Sequence, residues 1–126
     1  MPTNKKQRGR LLIVEDDEDI QTDVAELLRD EGYDVVVAHH GADALRILRA
    51  GLVPSLILLD LMMPIMDGWQ FRTEQLQDPV LARIPVVLFS GAGDVHKYAV
   101  DMNVAGYVSK PIKLEHLFRT VAAHDL

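Results

Sequence analysis

Leu11-Leu12-Ile13-Val14-Glu15-Asp16-Asp17 runs from four consecutive apolar residues straight into three acidic ones. An apolar run that short, with no polar residue alternating through it, reads as a strand buried on both faces. Similar runs recur at Val35-Val36-Val37-Ala38, Leu56-Ile57-Leu58-Leu59, Pro85-Val86-Val87-Leu88-Phe89 and, shorter, Gly106-Tyr107-Val108. Between them the apolar spacing becomes helical. Ile20, Val24, Leu27 and Leu28 stand at offsets 0, 4, 7 and 8, one face of a helix that Gly32 stops. Ala44, Leu45 and Leu48 mark a second helix, ended by Gly51 and Pro54. A third is expected from near Asp67 to before Pro79, its apolar face (Trp69, Phe71, Leu76) poorly defined, and a fourth, also weak, from around Asp94 to Met102. Leu114, Leu117, Phe118, Val121 and Ala122 make the fifth plain.

Strands alternating with helices in this way predict an α/β fold: a doubly wound, five-stranded parallel sheet with helices on both faces. Right-handed crossovers and the chain length favour the flavodoxin-like strand order 2-1-3-4-5, whose switch point lies between strands 1 and 3. Ligands of such sheets bind beyond the carboxyl ends of the strands.

The 126 residues amount to one domain. It is expected over 10-126, behind a flexible basic tail at 1-9. The absence of cysteine excludes disulfide frameworks, thiol catalysis and Cys-ligated zinc. With 13 Lys+Arg against 19 Asp+Glu, a formal charge of −6, the chain is a poor candidate for direct nucleic-acid binding. No apolar run approaches the roughly 18 residues of a membrane span. Only four apolar residues separate the basic N-terminus from Glu15, too few for a signal peptide. A soluble, cytoplasmic protein without a membrane partner is the expectation.

The strand ends carry the chemistry. The first ends in Glu15-Asp16-Asp17, the third in Asp60, the fourth in Ser90-Gly91, and the fifth runs into Lys110-Pro111. With strands 1 and 3 adjacent, Asp16 and Asp60 meet across the switch point. Carboxylates gathered at one sheet edge either keep a proton or hold a cation. Mg²⁺ suits them, because it accepts one or two carboxylates with waters and phosphate oxygens. Lys110 and Ser90 then complete a phosphate cradle, and a carboxylate beside a metal can itself take a phosphoryl group. Small Gly91 leaves room for an incoming donor. Each piece alone has a plainer reading. Acidic residues often cap a helix N-terminus, Ser90 and Lys110-Pro111 are ordinary loop residues, and Tyr107 is an ordinary strand aromatic. His39-His40, at the end of the second strand, form no metal-ligand pattern and are expected to be solvated. The conjunction of strand ends is what carries weight.

Leu12-Ile13-Val14-Glu15-Asp16-Asp17, Asp60-Leu61-Met62-Met63-Pro64-Ile65-Met66-Asp67-Gly68, Val87-Leu88-Phe89-Ser90-Gly91 and Gly106-Tyr107-Val108-Ser109-Lys110-Pro111 occur in this order. Together they resemble a response-regulator receiver domain of two-component signalling, chemotaxis-regulator-like, from about Arg10 to Leu126. The resemblance implies that Asp60 is the phosphoacceptor. It implies that Asp16 is the direct acidic metal ligand, with Glu15 assisting through water and the backbone carbonyl of Met62 completing the shell. Mg²⁺ is the implied cofactor, with Mn²⁺ or Ca²⁺ as substitutes. Lys110 is implied to pair with the phosphoryl oxygens, Ser90 to be the switch hydroxyl and Tyr107 the aromatic that follows it. Pro64, Gly68, Gly91 and Pro111 are implied to shape the loops, and the Lys110–Pro111 bond is often cis in the family. Glu15 stands where many members have Asp. Neither Met62 nor Ala92, two positions beyond Asp60 and Ser90, can donate a hydrogen bond, so no strong assisted dephosphorylation is expected.

The implied function is a phosphorylation switch and not an enzyme in turnover. A sensor histidine kinase or histidine phosphotransfer protein phosphorylates Asp60, docking on the first helix just past Asp19. The face made by helix 4, strand 5 and helix 5 then changes and signals to a downstream protein. Two other classes stay open. A Mg²⁺-dependent phosphohydrolase would want a second acid where Met62 stands and a cap domain. A flavin or nucleotide module would want a glycine-rich or hydroxyl-rich loop where Glu15 to Asp19 stand. With Met1 in place and no DNA-binding helix pair, the chain is expected to act as a single-domain regulator, the alternative being a piece of a longer protein such as a hybrid kinase.

Overall fold

The computed structural model describes residues 8–91 and 93–124. The readings of the tail over 1–7, of Ala92 and of the domain end at Leu126 lie outside the described residues. The elements are β1 (Arg10–Val14), α1 (Glu18–Asp30), β2 (Asp34–Ala38), α2 (Gly41–Arg49), β3 (Leu56–Leu59), α3 (Gly68–Gln77), β4 (Val86–Ser90), α4 (Val95–Asp101), β5 (Gly106–Ser109) and α5 (Leu114–His124). All pairings are parallel and the strand order is β2-β1-β3-β4-β5, as expected. A short 3-10 turn at Leu81–Arg83, unforeseen in the sequence, precedes β4.

Strand alternation divides the core in two. Leu12 and Val14 of β1 face one side, where they join Ala44, Leu48, Phe71, Val95 and Ala99 from α2, α3 and α4. Leu11 and Ile13 face the other, where Val24, Leu28, Leu117 and Val121 of α1 and α5 cover them. That two-sided cover is why the strands read as unbroken apolar runs.

Capping sets the helix starts. Asp17 accepts hydrogen bonds from the backbone N–H of Asp19 and Ile20, and Asp67 and Gln70 form a capping box that opens α3. Of the histidine pair, His39 is exposed, but His40 is not a solvated residue. It is half-buried and caps α2, its Nδ1 accepting from the Asp43 N–H at 3.1 Å. At the N-terminus the fold begins ahead of Arg10. The Arg8 N–H donates to the Gly32 carbonyl, the Gly9 carbonyl accepts from the Asp34 N–H, and the Arg8 guanidinium lies over the Tyr33 ring. Among the described residues no helix is long and apolar enough to cross a membrane.

Candidate functional site

The parallel ladder does not stop where the strands do. The Glu15 N–H bonds to the Ala38 carbonyl, the Asp60 N–H to the Val14 carbonyl and the Lys110 N–H to the Ser90 carbonyl. One further residue of each connection is thereby fixed by main-chain hydrogen bonds. These are the positions at which the sequence carries its acids and its lysine.

Glu15, Asp16, Asp60, Ser90, Gly91, Met62 and Lys110 line one cavity of about 550 Å³ at this edge. Glu15, Asp60 and Ser90 are buried, while Asp16 and Met62 are exposed. One carboxylate oxygen from each of Glu15, Asp16 and Asp60 lies within 4.8 Å of the others. The Lys110 Nζ donates to Glu15 Oε1 at 2.6 Å and stands 3.6 Å from Asp60 Oδ1. It also lies 4.7 Å from the centroid of the Phe89 ring. The lysine therefore rests on Glu15 and only reaches toward Asp60, an arrangement the sequence does not announce.

The electrostatics follow from that crowding. Burial pushes the Glu15 carboxyl up to about 7, partly offset by the Lys110 hydrogen bond and the Asp17 N–H. Burial likewise raises Asp60, against the pull of the Lys110 charge, a hydrogen bond with Glu15 and the backbone N–H of Met62, while Asp16 adds to the rise. Three carboxyls with a single ammonium among them leave negative charge unbalanced. Oxygen donors alone, two of them sheltered from water, suit a small hard dication. Glu15, Asp16 and Asp60 can thus hold a metal ion, and the cluster fits Mg²⁺.

The loops around the site are held by residues of other kinds. Gly68 packs so closely that an added Cβ would stand 2.7 Å from the Asp60 carbonyl oxygen, and its N–H bonds to the Leu61 carbonyl. Gly91 is freer. A Cβ there would meet Lys110 at an ordinary 3.7 Å, so packing does not require glycine. Pro64 is exposed, and its carbonyl accepts from the Met66 N–H at 2.7 Å around Ile65, which has φ 68. The Lys110–Pro111 bond is cis. Tyr107 is half-buried between His96 and His116, at ring distances of 5.3 and 6.5 Å.

Two supporting residues escape sequence reading. Buried Gln21 donates through Nε2 to the Glu15 carbonyl at 3.0 Å, tying α1 to the end of β1. Gly41 opens α2 against the Met66 carbonyl, where a Cβ would lie 2.9 Å from that oxygen. The only available signals are a polar residue beside the inward stripe of α1 and a glycine at a helix start.

The sequence pattern of the response regulator receiver domain matches residues 11–122. The chain belongs to this family. Among similar proteins, RpaA of Synechocystis sp., a DNA-binding dual master transcriptional regulator, is 34% identical over 116 residues, 90% of this chain and 48% of that protein. The receiver domain spans about half the length of the curated relatives it matches. The phosphorylated cyanobacterial phytochrome response regulator RcpA is 31% identical, with a TM-score of 0.77 over 94% of this chain and 91% of that one. The receiver domain of a sensor histidine kinase from Pseudomonas aeruginosa PAO1, crystallised with magnesium coordinated in its active site cleft, gives a TM-score of 0.84. It covers 94% of this chain and 98% of that one at 24% identity, a likeness of fold.

Proposed function

We propose that this receiver domain is a phosphorylation-activated signalling switch of the cytoplasm. It accepts a phosphoryl group on Asp60 from the phosphohistidine of a sensor histidine kinase or a histidine phosphotransfer protein. It then signals to a protein target through its α4–β5–α5 face. The observation that carries this reading is the meeting of Glu15, Asp16, Asp60 and Lys110 around one cavity at the carboxyl edge of the sheet. The magnesium in the Pseudomonas receiver and the phosphorylated state of RcpA support it.

Glu15, Asp16, Asp60 and the Met62 carbonyl would hold Mg²⁺, with Mn²⁺ or Ca²⁺ as substitutes. When bound, the ion offsets the negative charge of the carboxylates and of the arriving phosphoryl group. An Asp60 carboxylate oxygen attacks phosphorus, the P–N bond to the donor imidazole breaks, and its electron pair leaves on the ring nitrogen. Lys110, already 3.6 Å from Asp60, turns from Glu15 to a phosphoryl oxygen. The buried Ser90 hydroxyl is drawn to the same group, and Tyr107 moves into the space this frees. Because the phosphoryl group makes contacts in one arrangement that it lacks in the other, it biases the two. Met62 offers neither a proton for a leaving group nor an oxygen to orient water, so the chain is a phosphoacceptor and does not turn over phosphomonoesters.

Incubation with Mg²⁺ and phosphoramidate, followed by intact mass measurement, is expected to give a single base-labile phosphoryl adduct. It should be absent in Asp60→Asn and absent in excess chelator. Equal labelling of Asp60→Asn would place the acceptor elsewhere, and sustained release of phosphate from small phosphomonoesters would make the protein a hydrolase.

A further inference from the structure

The cavity over Asp60 opens to solvent and is bordered by aromatic side chains as well as by the acids and the lysine. The cavity holds about 550 Å³. Apolar side chains also line it: Ile20 from α1, Met62 from the loop after β3, and Trp69 and Tyr98 from α3 and α4.

Trp69 and Tyr98 come from different helices and meet edge to face, their ring centroids 5.2 Å apart with 80° between the planes. Both are half-buried and pack against the core under α3 and α4, so the rings are braced from behind. Trp69 sits in the first turn of α3, whose start the Asp67–Gln70 capping box fixes, and its carbonyl accepts from the Thr73 hydroxyl at 3.0 Å. Core packing alone would account for a buried aromatic pair. It does not require that both rings border the same cavity as the buried Asp60 carboxyl.

We propose that Trp69 and Tyr98 form the wall against which the leaving group of the phosphoryl donor rests, so that the site favours planar heteroaromatic N-phosphoryl donors over donors without a ring. This rests on the reading of Asp60 as the acceptor. As the P–O bond to Asp60 forms, the P–N bond of the donor breaks. A donor ring protonated at its distal nitrogen leaves as neutral imidazole, and no other reactant is needed. A flat ring of that size gains edge and face contact with aromatic neighbours that an amine or an acyl group cannot make. That contact amounts to a factor of roughly three to ten in rate at low donor concentration.

The test compares three small donors on the full chain with Mg²⁺, each followed by intact mass: N-phosphoimidazole, phosphoramidate with the same P–N bond and no ring, and acetyl phosphate. The native chain is expected to react with phosphoimidazole several-fold faster than with phosphoramidate. In Trp69→Leu and Tyr98→Leu the ratio of those two rate constants should fall about fivefold, and Trp69→Phe should restore most of it. Because the readout is a ratio between donors within one variant, a general loss of folded protein cancels. If all three donors label Asp60 but the ratio is the same in every variant, the aromatic wall is overturned while the acceptor stands. If no donor labels the native chain, the acceptor reading falls and the wall with it.

Discussion

Ile65 holds a backbone conformation that a β-branched side chain seldom adopts, with φ at 68 in the loop that follows Asp60. The Pro64 carbonyl and the Met66 N–H close a tight turn across it, and the Ile65 side chain is 77% exposed, so little burial repays the strain. Ile65→Asn, whose side chain tolerates the left-handed region, is expected to raise the unfolding free energy by about 1 kcal/mol. Urea denaturation with an unchanged m-value would register it, and a loss of stability would show that the isoleucine makes contacts that matter. The same loop separates what could be read in the sequence from what could not. Asp60, Glu15, Asp16, Ser90 and Lys110 are readable because each is a reactive type at or within two residues of the end of an apolar run. Gly41 and Gln21 are not, since their work is to hold backbone carbonyls that only folding brings near. Nor could residue type disclose that Lys110 pairs first with Glu15.

The weakest periodicities belonged to α3 and α4, and their packing explains why. Two of the inward positions of α3 are Arg72 and Gln75, while Leu76 faces water. The Arg72 guanidinium reaches from α3 to the end of α4, donating to the Met102 and Asn103 carbonyls at 3.2 and 2.8 Å and to Gln75 Oε1 at 2.8 Å. Gln75 Nε2 in turn donates to the Leu81 and Ile84 carbonyls, holding the 3-10 turn ahead of β4. A polar network of this kind hides a helix from any count of apolar spacing, whereas α1 and α5, whose buried stripes on the opposite face are mainly aliphatic, stand out. Burial lowers the affinity of Arg72 for its proton, but three acceptors satisfy it. Arg72→Met would strand those acceptors and cost about 2–4 kcal/mol, seen as a lower urea midpoint. Arg72→Lys should recover little, because a single ammonium cannot span carbonyls on two sides as the planar fork does. Near-native stability of Arg72→Met would make the network dispensable.

At the scale of the molecule, the strand order and the two-sided core followed from the alternation of apolar runs and helical stripes, with one strand-buried face for each set of helices. What the whole fold adds is a stability that depends on the charge of its own site. Glu15 releases its proton near 4.5 when unfolded and at about 7 when folded. Between those values the folded state binds the extra proton, so the unfolding free energy falls as pH rises. The full contribution is present below about 4.5 and gone above about 7, a drop on the order of 3 kcal/mol. Asp60, raised by the same burial, acts in the same direction. In chelator, urea midpoints should therefore decline across this window. Glu15→Gln should flatten the decline, and millimolar Mg²⁺ should reduce it by favouring the ionised carboxyls. A flat curve for the native chain without metal would contradict the buried, crowded carboxyls described above. Finally, the sequence contains one tryptophan, and it is Trp69 on the cavity wall. Light absorbed at wavelengths where tyrosine is nearly transparent is re-emitted by that single indole. The protein thus carries its own lamp at the mouth of its reactive carboxylate, and cation or donor arrival can be followed by eye of a fluorimeter with no label attached.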